Sequence, residues 1–454
     1  MTKTDKRIYT LAQEKPVKAV LKMGLPLVAG MFVMALYNIV DTYFIGMTHD
    51  DYQLAAVSLA YPVMMIAVAL SNMISTGAAS LIARSMGAQE KDVADHAVTV
   101  GFSLTVLFSV IVTAVGLIFL MPIVKGLGAQ ENTFEYTAQY VQVILIGSLC
   151  VMGNYIFGQL LRSEGSVRYS VVGMIAGTLL NMLLDPLFIF TLGMQVRGAA
   201  VATVLGNAAG MIISILFYLR KKTLLRPSLK YILPTKMILK EIFWVGVPAS
   251  LETLLTSIAY IVLNKLSVSY GELTVAAMGV SQKIMSIGSY IYQGMTAGAQ
   301  PVMGYNYGAH KFKRMRSILK AGILVTSAME ILVMVVFGIF APQLIGLFSE
   351  SPEVIAIGSR ALRTIMFILP FVGAVSMSRS SFQAMGKPQY AFGITLVRQL
   401  FLYVPLLFLF NRLFGFDGML CAQPVTELIM MIASVALLLA VINSESKKTG
   451  EDPI

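Results

Sequence analysis

Long apolar runs alternate along the chain with short polar connections. Twelve of these runs reach the roughly 20 mostly apolar residues that a helix needs to cross a bilayer. In the first half they cover approximately Val17–Met47, Gln53–Ala83, Val93–Met121, Thr133–Leu161, Val167–Leu192 and Gly198–Leu219. In the second half they cover approximately Ile238–Val268, Leu273–Tyr305, Met315–Ala341, Glu353–Phe382, Pro388–Phe410 and Gly418–Val441. Several are longer than a perpendicular crossing needs, which predicts tilt or protruding ends. The first run reads as a span and not as a cleavable leader: it is too long, and no small-residue cleavage site follows it. The fold class expected is an all-α polytopic membrane protein.

The pattern repeats. At a shift of about 221 residues, Leu54-Ala55-Ala56 answers Val275-Ala276-Ala277, Gly77-Ala78 answers Gly298-Ala299, and Gly87-Ala88 answers Gly308-Ala309. Gly165 answers Gly386, Tyr169 answers Tyr390, and Gly24-Leu25-Pro26 answers Gly246-Val247-Pro248. Each half then holds six spans and inserts the same way up, which predicts two six-helix lobes related by a pseudo-twofold along the membrane normal. The expected division is a cytoplasmic segment 1–16, a first lobe 17–219, a cytoplasmic linker 220–237, a second lobe 238–442 and a cytoplasmic tail 443–454. Binding sites in transporters commonly lie where such repeats meet.

Composition agrees with lipid as the solvent: 57% of residues are hydrophobic and 13% charged, where soluble domains carry about 25% charged residues. Mean hydropathy is +0.77. The excess of 34 Lys and Arg over 23 Asp and Glu sits in loops and makes no basic stripe of the kind that binds nucleic acid. About 26 of the basic residues fall on the side of the two termini and about six on the other, so both termini are expected in the cytoplasm. Cys150 and Cys421 lie in apolar runs, and His49, His96 and His310 in or beside polar loops. None has metal-ligand or nucleophile spacing. The chain is therefore not expected to be an enzyme, to hold a resident cofactor or to require a protein partner; the bilayer is its expected surroundings.

Ionisable groups within spans are costly and mark function or pairing. Asp41 lies late in the first span and Asp185 late in the fifth. Tyr37 shares a helix face with Asp41, and Asn181 with Asp185, each pair being four residues apart. Asp41, Asp185 and Thr203, near the start of the sixth span, fall at one depth, roughly 8–12 Å below the outer surface at about 1.5 Å per residue. Two carboxylates, an amide and a hydroxyl at one level suit a hard cation such as Na⁺. Equally, they suit a shared proton, since two adjacent carboxylates in a low dielectric do not both ionise. The second-half counterparts of Asn181 and Asp185 are Leu402 and Leu406, and that of Asp41 is near Val262 or Leu263. The acidic set thus belongs to the first half alone. The second half carries Glu252, Lys283 and Arg398, which either line a substrate cavity or form structural ion pairs, and Glu330 and Glu427, for which no partner is evident.

These residues resemble the multidrug and toxic compound extrusion (MATE) transporters over nearly the whole chain. The resemblance rests on Gly24-Leu25-Pro26, Asp41 and Gly46, on Gly77-Ala78-Ala79-Ser80 with Arg84 and Gly87-Ala88, and on Leu161-Arg162-Ser163-Glu164-Gly165. Asn181-Met182-Leu183-Leu184-Asp185-Pro186 and Arg197-Gly198-Ala199-Ala200-Val201-Ala202-Thr203 complete it. It is closest to the DinF-like branch that includes MepA-like drug exporters. The resemblance implies two lobes in a V, alternating access, and export of cationic amphiphilic compounds against Na⁺ or H⁺. It also implies a cation site whose motif positions fall on Asp41, Asn181, Asp185 and Thr203, with Tyr37 and Asn154 nearby. The NorM-like branch uses acids of the second lobe; Glu252 stands about one turn before the matching position, and no acid answers in the tenth span. A rival within the wider superfamily, a flippase for a lipid-linked substrate or an exporter of one metabolite, would use the cations Lys283 and Arg398.

Overall fold

The protein is described by a computed structural model that covers residues 3–46 and 51–450. The side chains of Asp41 and several neighbours lie outside the described part. The first half forms α1 (Lys3–Ala12), α2 (Pro16–Gly46), α3 (Asp51–Gly87), α4 (Lys91–Ile118), α5 (Leu120–Gly126), α6 (Glu131–Ile146), α7 (Ser148–Ser163), α8 (Val167–Pro186) and α9 (Gln195–Leu219). The second half forms α10 (Lys236–Val268), α11 (Glu272–Gly308), α12 (Phe312–Ile339), α13 (Ala341–Gly346), α14 (Pro352–Met366), α15 (Leu369–Ala384), α16 (Pro388–Leu396) and α17 (Val404–Lys448). Single π-helical turns follow α8 (Leu187–Thr191) and α16 (Val397–Tyr403). Helices are the expected form, because hydrocarbon offers no partner to an unpaired backbone group. Their outward faces are apolar: Ile118, Leu183, Ile261 and Leu324 are all more than 60% exposed.

Among the described residues, eight helices are long and apolar enough to cross a membrane, and up to ten when each bent pair counts as one span. The pairs are α6 with α7, bent by 52°, and α14 with α15, bent by 45°. Their breaks, at Gly147 and at Phe367–Ile368, fall at equivalent places in the two repeats. In the second, Pro370 near the start of α15 supplies no backbone N–H, which suits a helix start and not a helix middle. The twelve runs expected from hydropathy exceed this number by two. α11 is long enough at 37 residues but carries Gln282, Lys283, Gln293 and Gln300. The 61-residue stretch Pro388–Lys448 turns at Gly415, whose φ of 62° and ψ of −141° are open to glycine and closed to most residues.

Contacts divide the chain into two compact units. The first comprises Met1–Ile8 and Ala29–Val247, the second Tyr9–Val28 and Pro248–Ile454. The connection after α9 thus lies within the first unit, as do the opening turns of α10, while the opening turns of α2 lie within the second. Glycines account for this. Within the first unit, a Cβ on Gly77 of α3 would stand 2.0 Å from the Ile242 carbonyl oxygen of α10, and one on Gly246 would stand 2.0 Å from that of Met73. Within the second, a Cβ on Gly298 of α11 would stand 2.6 Å from the Gly24 backbone of α2, and one on Gly294 2.7 Å from the Val28 nitrogen. The repeat pairs Gly77 with Gly298 and Gly24 with Gly246. The same small-residue helix crossing is therefore built once in each unit.

Candidate functional site

In the first unit, α2, α7, α8 and α9 bring a row of polar side chains together. Asp185 is fully buried, and Asn181 and Thr203 are 4% and 5% exposed. With its amide oriented to satisfy its neighbours, Asn181 donates through Nδ2 to both Asp185 oxygens, at 2.9 and 3.2 Å. Its Oδ1 accepts from the Tyr37 hydroxyl at 3.2 Å and from the Thr203 backbone N–H at 3.3 Å. One amide therefore ties a carboxylate on its own helix to α2 and α9. Helical geometry explains the first tie, because residues four apart stand one above the other. The second is permitted by Gly177 and Gly206, where α8 and α9 approach so closely that either Cβ would stand within 2.8 Å of the other helix's backbone oxygen.

The row continues inward. Asn154 on α7 donates to Asn207 Oδ1 at 3.0 Å, and Asn207 Nδ2 donates to the Thr203 carbonyl oxygen at 2.8 Å. Asn207 was not singled out in the sequence; its place one turn after Thr203 on the same face of α9 was the available signal. Of the residues anticipated for one site, the structure brings together Asn181, Asp185, Thr203 and Tyr37, with Asn154 joined through Asn207. Thr203 takes part through its main-chain N–H and C=O. Asp41 is on α2, one turn beyond Tyr37, and its side chain lies outside the described residues.

The second unit treats its buried carboxylates differently. Glu252 on α10, 3% exposed, receives Arg379 at 3.0 Å and the Gln383 amide at 3.3 Å, both from α15. Glu427 on α17, 1% exposed, accepts from Arg398 Nε at 2.7 Å. Glu330 on α12 is fully buried and accepts the Tyr292 backbone N–H of α11 at 2.9 Å. Glu252 and Arg398 thus pair with other residues and not with each other, and Glu427 does have a partner. Arg379 sits on α15 and neutralises Glu252. Lys283 is exposed on α11.

The sequence model of the MatE family matches this chain twice, over residues 26–187 and again over residues 248–409, at the offset of the internal repeat. The multidrug export protein MepA of Staphylococcus saprophyticus is 30% identical over 435 residues, which span 95% of this chain and 96% of that protein. The crystal structure of MATE in complex with MaL6 matches with a TM-score of 0.92 at 29% identity, over 98% of this chain and 100% of that one. An outward-facing multidrug resistance MATE family transporter of the MOP superfamily matches with the same TM-score and identity, over 98% and 100% of the two chains.

Proposed function

This chain belongs to the MATE family, a multi-pass, all-helical membrane protein, and we propose that it is a secondary active multidrug exporter. In this reading it carries cationic and amphiphilic organic compounds out of a bacterial cell, in exchange for H⁺ or Na⁺, by alternating access. Both termini face the cytoplasm. The coupling cation binds at Asp41, Asn181, Asp185 and Thr203.

The observation that carries the reading is the buried Asp185, held by an amide that also reaches α2 and α9. A proton or a Na⁺ ion arriving at Asp185 competes with the N–H donors of Asn181. If the amide turns over, it offers Oδ1 to the ion beside the carboxylate, an all-oxygen set of the kind hard cations prefer. Its Nδ2 then meets the Tyr37 hydroxyl at 3.2 Å, which accepts as readily as it donates. The Thr203 N–H loses its acceptor in the exchange. Cation binding is thereby felt on α2 and α9, which supplies the differential contacts that a ligand needs in order to shift a conformational equilibrium. Tyr37 and Asn154 stand beside this site.

The test is efflux of ethidium from proteoliposomes, with a Na⁺ gradient and a pH gradient imposed separately. The expected result is efflux driven by one of the two gradients and abolished in folded Asp41→Asn and Asp185→Asn proteins. Efflux at the wild-type rate from both variants would remove the cation role from these residues.

A further inference from the structure

Exchange at Asp185 leaves unused a carboxyl that is just as enclosed. Glu164 follows α7, outside the spans, on the side the charge pattern assigns to the cytoplasm, and it is 0% exposed. Its Oε2 accepts the backbone N–H groups of Leu224 and Leu225 at 2.8 and 2.9 Å. Its Oε1 accepts from the Ser166 hydroxyl. Arg7 of α1 donates to Ser166 Oγ at 2.9 Å, lies 3.8 Å from Glu164 Oε1, and stacks 4.9 Å over the Tyr169 ring. Three separate stretches of the first unit therefore close on one carboxyl group: the opening of α1 at Arg7, the α7–α8 loop, and the linker after α9. The linker is pinned further along. The Arg226 N–H donates to Asp95 at 2.7 Å and the Ser228 N–H to Thr99 Oγ1 at 3.2 Å. Leu225, 1% exposed, packs with Leu160, Leu161 and Tyr218.

We propose that Glu164 is a proton-binding site, separate from the Asp185 cluster, whose proton locks the linker and the opening of α1 at Arg7 onto the α7–α8 loop. Docking requires the carboxyl to leave water, and a charge in that position is costly. The titratable groups that face it are Arg7 from α1 and Tyr218 from α9; Arg162, on the preceding helix, is engaged with Gln159 and Ser170. Burial pushes Glu164 up to about 7, against the opposing pull of Ser166, the Leu225 N–H and Arg7. An undocked, hydrated Glu164 would titrate near 4.5. The docked form thus holds its proton more tightly, so docking is strongest in acid and weakens as pH rises through about 7. Linkage between those two values makes undocking about tenfold more favourable at pH 8 than at pH 6. The linker joins the two repeats and leads straight into α10, so the proton sets how firmly that junction is held.

Amide hydrogen exchange on the full-length protein in nanodiscs, corrected for intrinsic rates, tests this. Protection of Leu224 and Leu225 should fall about tenfold between pH 6 and pH 8 in the wild type, with no matching change in α9. In Glu164→Gln, which imitates the protonated side chain, protection should stay at the pH 6 level throughout. Arg7→Gln should move the wild-type midpoint upward, and it keeps the test available if the first variant does not fold. A flat wild-type profile, the wild-type slope persisting in Glu164→Gln, or an unmoved midpoint in Arg7→Gln would overturn the proposal.

Discussion

The contact between α8 and α9 in the first unit and its counterpart between the α16–α17 π-turn and α17 in the second occupy equivalent places and are made of opposite materials. In the first, Gly177 and Gly206 meet backbone to backbone. At the repeat offset from Gly177 stands Arg398, and from the Gly206–Asn207 step stands Glu427, and there the helices are joined by an ion pair. The glycine contact brings neutral dipoles on two helices within reach of a carboxylate. Asp185 is met by an amide that can exchange its nitrogen for its oxygen. The arginine contact brings a permanent counter-charge that serves an incoming cation poorly. One duplicated frame thus supports, in the proposed function, a place where charge is exchanged, and elsewhere a place where a carboxylate is already paired.

The largest effect should come from breaking the settled pair. Arg398→Met leaves Glu427 buried beside an apolar side chain and should cost about 3–5 kcal/mol. The double substitution Arg398→Met with Glu427→Leu should recover most of that loss, because an ion pair replaced as a whole by apolar side chains is often neutral. Thermal unfolding in detergent reads both. If the single variant melts with the wild type, the pair does not hold these helices.

A smaller effect should follow from opening the glycine contact. In Gly206→Ala the new methyl would stand 2.7 Å from the Gly177 carbonyl oxygen and 2.8 Å from Asn181 Cβ. Backbone must move, at about 1–3 kcal/mol, and Asn181 must move with it. Gly393→Ala in α16 is the control. Among the described residues, nothing beyond its own helical turn lies within 4 Å of its added methyl, so stability should stay level or rise slightly, by up to about 1 kcal/mol of helix propensity.

Hydropathy placed most of the helices to within a few residues because lipid imposes one requirement along the whole of each crossing. It did not locate the breaks at Gly147 and Phe367–Ile368, since the apolar run passes through both without interruption. The Asn181–Asp185 face was legible from helical spacing, and the depth estimate brought Thr203 to the same level. Asn207 was missed because a lone amide in an apolar helix carries no sign of what it faces. Arg379 stands near the end of an apolar run, where nothing local distinguishes it from a loop charge. Only the tertiary contact with Glu252, 127 residues earlier, shows it to be a buried partner. Gly24, Gly77, Gly246 and Gly298 were visible as landmarks of the repeat, but which helix each would touch depends on packing that local sequence does not encode.

The smallest change in stability separates the two units most directly. Asp185→Asn and Glu427→Gln are the same chemical edit, a carboxylate made into an amide of nearly the same shape. At Asp185 the amide oxygen can still accept from Asn181 at the positions now 2.9 and 3.2 Å away, so stability should change by about 1 kcal/mol or less, the net worth of an ordinary hydrogen bond. At Glu427 the edit removes the counter-charge of Arg398 and should cost about 1.5–3 kcal/mol, as for a hydrogen bond to a charged group. Transport should divide the other way: gradient-driven efflux is lost in Asp185→Asn and, once folded protein is matched, retained in Glu427→Gln. Should Asp185→Asn prove as destabilising as Glu427→Gln, Asp185 is a structural group like the buried carboxylates of the second unit, and the exchange of charge must be sought elsewhere.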